Sequence, residues 1–224
     1  MGCDDPGLPP NRTGRALLRQ EGSPLIEASV KAQLDAFRLS ADVQCSGTTC
    51  IAGKNGSGKT SLFRALAGFL PSEGFVRVDG TDVIRLPVER RGIVMVTPSS
   101  CLPHLDVEAH LRWGAKLKGK IPSSDAVAKV KSELGIDFGG RVRSLSLGMR
   151  GRVSLATALF SAPKVILVDE VFSLLHDKEE FVSSYSGLAS DSGIDLIFTS
   201  QNEEDGGLAD QTYVMSNGTA ALHP

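Results

Sequence analysis

Gly53-Lys54-Asn55-Gly56-Ser57-Gly58-Lys59-Thr60 constrains this chain more than any other stretch. It fits the pattern G-x-x-x-x-G-K-[ST] and follows a short β-type run, Thr48-Thr49-Cys50-Ile51-Ala52. After it comes Ser61-Leu62-Phe63-Arg64-Ala65-Leu66-Ala67, with apolar residues at helical spacing and a stop at Gly68. In a strand–loop–helix setting each residue type has a chemical reason. Glycines let backbone N–H groups turn inward around a phosphate with no side chain in the way. The start of the following helix adds its positive end to the same anion. Lys59 is then expected to reach the β- and γ-phosphates, and the Thr60 hydroxyl to bind Mg²⁺.

The rest of the chain reads as alternating strands and helices. Leu25–Val30 and Phe37–Val43 alternate at period two, as half-buried strands do. Ile93–Val96 and Val165–Val168 are short β-branched runs suited to buried parallel strands. A helical stretch from about Val107 to Phe160, broken by Pro122 and Gly139-Gly140, lies between those two. Asp195–Thr199 is expected to be the last strand, followed by a short tail holding Tyr213-Val214-Met215. Strands joined by helical crossovers predict an α/β fold with a parallel sheet. Residues 1 to 23, interrupted by Pro6, Pro9, Pro10 and four glycines, are expected to form a disordered extension.

Lys164-Val165-Ile166-Leu167-Val168-Asp169-Glu170 carries two carboxylates to the C-terminal end of a strand. Ligands of open parallel sheets bind at that end, so Asp169 is a candidate for holding Mg²⁺ through water. Glu170, one residue on, can polarise an attacking water as a general base.

Composition narrows the partners. The 224 residues carry 24 Lys+Arg against 26 Asp+Glu, a net charge of −2, which lacks the basic footprint of a nucleic-acid binder. No run approaches the ~20 apolar residues needed to span a bilayer. Met1-Gly2-Cys3-Asp4-Asp5-Pro6 is acidic with no apolar core, so no signal peptide is expected. Cys3, Cys45, Cys50 and Cys101 form neither a CxxC pair nor a zinc pattern and fit a reducing compartment.

A family resemblance follows from a third segment. Leu145-Ser146-Leu147-Gly148-Met149 and the helix Arg150-Gly151-Arg152-Val153-Ser154-Leu155-Ala156-Thr157-Ala158-Leu159 resemble the signature of ABC ATPases, LSGGQ then RQRVALARAL. The spacing from there to Ala162-Pro163-Lys164 and the Asp169-Glu170 strand is similar too. Leu86-Pro87-Val88-Glu89-Arg90-Arg91 and Pro103-His104-Leu105 resemble strings of importer ATPases, nearest to the molybdate, tungstate and sulfate type.

The resemblance implies a P-loop NTPase fold of the ABC ATPase type over residues 24–224: a parallel-sheet core, an antiparallel β subdomain, and a helical signature subdomain over roughly 103–162. It implies ATP and Mg²⁺ as cofactors, with Gly53 through Ser61 on the phosphates and Thr60 and Asp169 on the metal. It also implies a second ATPase subunit, whose Ser146 and Gly148 contact the γ-phosphate across a head-to-tail interface. The expected machine is an importer of a small solute such as an oxyanion, with membrane-spanning permease subunits above a cytoplasmic, peripheral ATPase. No C-terminal regulatory domain is expected, because the chain ends at Pro224.

This chain departs from the family pattern near the catalytic positions. Thr97 replaces a glutamine, Leu147 and Met149 replace a glycine and a glutamine of the signature, and Val171 replaces a proline. His176 stands in place of an aspartate, and Gln201 in place of the switch histidine. Glutamine still donates a hydrogen bond to a γ-phosphate but cannot become cationic. The expectation is therefore an active ATPase built on Glu170 and Gln201, with a weakly active or degenerate nucleotide-binding subunit or a soluble regulatory ABC protein as the alternative. Phe37 is a candidate for stacking on adenine, or else a core strand residue. Trp113 is read as packing in the helical layer, or else as a permease contact.

Overall fold

The computed structural model describes residues 25–223, so the proposed extension over residues 1 to 23 lies outside the described residues. Ten strands and five α-helices are present among them. In chain order they begin with β1 (Ile26–Leu34), β2 (Phe37–Cys45) and β3 (Thr48–Ala52), then α1 (Lys59–Ala67). β4 (Glu73–Val78), β5 (Thr81–Asp82) and β6 (Ile93–Val96) follow. The helices α2 (Val107–Lys116), α3 (Ser124–Glu133) and α4 (Leu147–Phe160) come next. The chain closes with β7 (Val165–Val168), α5 (Lys178–Asp191), β8 (Asp195–Ser200), β9 (Gln211–Ser216) and β10 (Thr219–His223).

Two sheets result. One is antiparallel throughout, in the order β2-β1-β4-β5. The other runs β10-β9-β3-β8-β7-β6 and is parallel except for β10, which turns back along β9. Period two explains how this second sheet is buried on both faces. Cys50, Val96, Ile166, Val168, Leu196 and Phe198 join the core shared with α2–α5. Their neighbours Ile51, Ile93, Val165, Leu167 and Ile197 join the core under α1 and the antiparallel sheet.

One expectation is corrected, and two strands are added. Asp195–Thr199 is not the last strand: Tyr213-Val214-Met215 lies in β9, which pairs in parallel with β3, and β10 extends the sheet. β4 and β5 had no counterpart in the sequence reading. The broken helical stretch resolves into α2, α3 and α4, with the gaps at Pro122 and at Gly139-Gly140.

α2 crosses α4 closely, and a Cβ at Gly114 would lie 2.7 Å from the Thr157 carbonyl oxygen. His110, buried in that contact, accepts from the Leu102 N–H at Nε2 (3.0 Å), which leaves Nδ1 to donate to the Thr157 hydroxyl (2.8 Å). The ring is fully used in packing. Burial holds its pKa below the ordinary 6.5. The unfolded chain therefore takes up this proton first, and His110 costs the fold stability as pH falls below 6.5 but not above. His110→Ala is expected to lose about 2–4 kcal/mol at neutral pH through a cavity and two stranded partners. Urea unfolding at two pH values checks both points, since the variant should lose less between neutral and mildly acid pH than the natural chain.

Candidate nucleotide site

The site forms where β3, β8 and β7 end side by side, at the C-terminal edge of the parallel sheet. β3 runs directly into the loop, and the Gly53 N–H donates to the Ser200 carbonyl at the end of β8 (3.0 Å). Gly53 has φ 151°, and a Cβ there would meet the Met215 carbonyl oxygen at 2.4 Å. At Gly58, φ is 107° and a Cβ would stand 2.7 Å from the Phe37 ring. These two positions require glycine on both counts. Phe37 is half-buried and closes against the loop.

Gly58 caps α1, with Lys59 and Thr60 in its first turn. Lys54, Asn55 and Gly56 are exposed at the rim, and Ser61 is half-buried on α1. Lys59 is buried, its ammonium donating to the carbonyls of Gly53 (2.6 Å) and Lys54 (3.1 Å). Burial lowers its pKa from the ordinary value, and the carboxylates of Glu170 and Asp169 pull it back up. The Ser57 hydroxyl is buried with no hydrogen-bond partner among the described residues. An orphaned hydroxyl, a buried ammonium and glycines that exclude Cβ atoms fit a phosphate group.

Asp169 leaves β7 buried. It accepts from the Thr60 hydroxyl at Oδ2 (2.8 Å) and from the Thr199 hydroxyl at Oδ1 (3.1 Å). Burial raises its pKa above 3.8, and the two hydroxyls oppose that rise. A hydroxyl and a carboxylate side by side are hard oxygen donors of the kind Mg²⁺ takes, so the residues fit that ion too.

Glu170 follows with φ 58°, a left-handed conformation uncommon outside glycine. Its N–H donates to Thr199 Oγ1 (2.9 Å), its carbonyl accepts from the Ser173 hydroxyl (2.6 Å), and its Oε1 accepts from Gln201 Nε2 (3.3 Å). The structure thus gathers Lys59, Thr60, Asp169, Glu170 and Gln201, which the sequence spreads over more than 140 positions.

Ser146 and Gly148 stand elsewhere. Ser146 caps α4 and accepts from the Met149 N–H (3.3 Å), and no hydrogen bond found among the described residues ties it to the loop. Leu147 is exposed, and a Cβ at Gly148 would touch the Leu174 carbonyl at 3.0 Å. The Thr97 hydroxyl is engaged by Ser99 and Ser100 of its own turn. Asp177 is held by Arg152, whose guanidinium keeps that carboxyl below its usual range.

Two features escaped the sequence reading. Thr199, at the end of an apolar strand, bonds both Asp169 and Glu170. Asp205 takes bonds from both Lys178 and the Ser200 hydroxyl, fastening the segment after β8 on which Gln201 sits. The polar Thr199-Ser200 end of β8 was the available signal for both.

Residues 37–173, more than half of the chain, match the family model described as ABC transporter. A molybdenum import ATP-binding protein, ModC 2 of Azotobacter vinelandii, is 32% identical over 214 residues, covering 86% of this chain and 57% of that protein. The spermidine/putrescine import ATP-binding protein PotA of Mesorhizobium japonicum is 35% identical over 176 residues, 74% of this chain and 48% of that protein. The chain spans about half the length of these relatives. The solved structure of CbiO1 from Clostridium perfringens, part of the ABC transporter complex CbiONQ, has a similar fold. It superposes with a TM-score of 0.74 at 21% identity, over 89% of this chain and 88% of that one. With the family model matched over more than half of the chain and relatives 32% and 35% identical over most of it, the chain belongs to the ABC transporter family.

Proposed function

We propose that this chain is an ATP-hydrolysing subunit that energises a membrane transporter. The observation that carries the reading is the joined set Lys59, Thr60, Asp169, Glu170 and Gln201 at one edge of the sheet. Gly53 to Ser61 would hold the phosphates of ATP, with Lys59 on the β- and γ-phosphates. Thr60 and Asp169 would hold Mg²⁺, which neutralises phosphate charge when bound. Glu170 would take the proton of the water that attacks the γ-phosphorus, and ADP and phosphate would leave. Gln201, already donating to Glu170, would donate to the γ-phosphate as well.

Residues 24–224 would form one ATPase domain, with the helical subdomain over roughly 103–162. A second ATPase subunit would complete the site, placing its own Ser146 and Gly148 on the γ-phosphate. The permease would dock on the helical layer, where Trp113 is 40% exposed and so only partly committed to packing. No helix among the described residues is long and apolar enough to cross a membrane, so the span would come from partner chains. The site would face the cytoplasm at the inner surface of the membrane. The import relatives favour uptake of a small solute; those named for molybdenum accord with an oxyanion, and those named for spermidine/putrescine accord with an organic cation instead.

One observation supports a second reading, a subunit of low turnover. The Thr97 hydroxyl is spent within its own turn, where the family pattern has a glutamine that contacts the metal. A native pull-down from detergent-solubilised cells tests the transporter reading. Mass spectrometry is expected to find a multi-span membrane protein with the chain. A second, unlike ATPase chain in the same complex would favour low turnover here. Recovery of the chain alone or with ribosomes would overturn the transporter reading.

A further inference from the structure

β8 is a central strand whose six residues are all buried, and Leu196-Ile197-Phe198 make it apolar up to Thr199. A hydroxyl in such a place is costly unless it is bonded. That of Thr199 is bonded twice, for a reason of register. Phe198 pairs with Val168 of β7, and Thr199 pairs with Ile51 of β3. Thr199 is therefore level with Asp169, one step beyond the last pair of β7. The proton assignment is forced. The Glu170 N–H can only donate, so it takes a lone pair of Thr199 Oγ1, and the single hydroxyl proton goes to Asp169 Oδ1. A β-branched side chain held this way has little freedom about χ1.

We propose that Thr199 is a positioning residue for hydrolysis: its one hydroxyl ties the metal-side carboxylate of Asp169 to the backbone of Glu170. Asp169 is fixed at its other oxygen by Thr60, so the chain Thr60–Asp169–Thr199–Glu170 runs from the phosphate loop to the base. The left-handed backbone of Glu170 is thereby referred to the loop and not left to its own segment. The inference rests on the ATPase reading above and names a further residue of the same site.

Thr199→Val keeps the side-chain shape and deletes the hydroxyl, while Thr199→Ser keeps the hydroxyl and deletes a methyl. With Thr199→Val, kcat for Mg-ATP is expected to fall on the order of 10–100-fold, the usual effect of losing a partner that orients a metal-site group. Affinity for ATP without metal should stay within about twofold, because the loop and Lys59 are untouched. The Glu170 amide should exchange hydrogen at least about tenfold faster, having lost its acceptor, while the amides of β7 keep their protection. Thr199→Ser should recover most of both losses. Natural-like kcat and unchanged Glu170 exchange in Thr199→Val would overturn the inference. So would a loss in Thr199→Ser as large as that in Thr199→Val, because keeping the hydroxyl would then have preserved nothing. Absence of turnover in the natural chain would overturn the ATPase reading and the catalytic role together, and the exchange comparison would then report on the relay by itself.

Discussion

Lys59→Ala is expected to weaken ATP binding by roughly a hundredfold or more and to leave the fold standing. The ammonium is buried inside the loop, and its present partners are the loop's own carbonyls, Gly53 and Lys54. It is thus held where the phosphates would come, with one of its three donors to spare and a second available if a loop carbonyl gives way to phosphate. Two charge-assisted bonds to phosphate oxygens are worth about 3 kcal/mol together, or roughly 150-fold in affinity. The fold has less at stake, because burial works against this charge and its removal relieves that cost while stranding two carbonyls at a loop open to water. Unfolding free energy should move by no more than about 1 kcal/mol. Titration with a fluorescent ATP analogue, beside a denaturant curve, separates the two effects. Binding within threefold of the natural chain would mean that backbone N–H groups hold the phosphates and that Lys59 is only a packing element of the loop.

The physical reason that Lys59 was legible from the sequence also explains what was not. The phosphate loop is a local object, and its residue types follow from a turn and a helix start within eight positions. β7 was legible for a similar reason, as an unbroken apolar run ending in two carboxylates. The antiparallel sheet is different: β4 finds β1 through a pairing such as Ile26 with Val78, and its glycine and arginine give it no clean alternation. β9 carries its apolar residues as a three-residue run, Tyr213-Val214-Met215, and takes its place from β3, with Thr49 opposite Gln211. Pairing across the length of the chain leaves no trace in either segment read alone.

Thr199 shows the same limit inside the site. In sequence it is the end of a buried strand, a position where threonine is an ordinary β-former. Its chemistry appears only when β7 lies alongside and brings Asp169 level with it. Gln201 was legible as a departure from the family pattern, but its donation to Glu170 needed the two strand ends in one place. The helical layer was legible in outline, with Pro122 and the paired glycines marking its breaks, while the use of His110 to join α2 to α4 was not. Residue types announced the chemistry of the site. Strand order decided which of them meet.

Glu170→Gln is expected to cut turnover by about 10²–10³-fold while ATP binding is kept or tightened. The general-base contribution at risk spans that range, and glutamine has no basic oxygen with which to accept the proton. What the substitution keeps matters as much. The Glu170 backbone is held by Thr199 and Ser173, and the side-chain oxygen that accepts from Gln201 survives in the amide, so the local geometry should persist. The negative charge does not survive, and its loss removes repulsion against the γ-phosphate, which favours the bound state. A site that binds but does not turn over should hold two ATP-bound subunits together, each signature closing the other's loop. With saturating Mg-ATP, gel filtration should then show a dimer that is absent or short-lived with the natural chain. A variant that stays monomeric would sink the clamp, since nothing would be left to open it. A slow rate identical in both proteins would remove Glu170 from the chemistry and leave a nucleotide-binding module, with the departures at Thr97 and Gln201 as its cause.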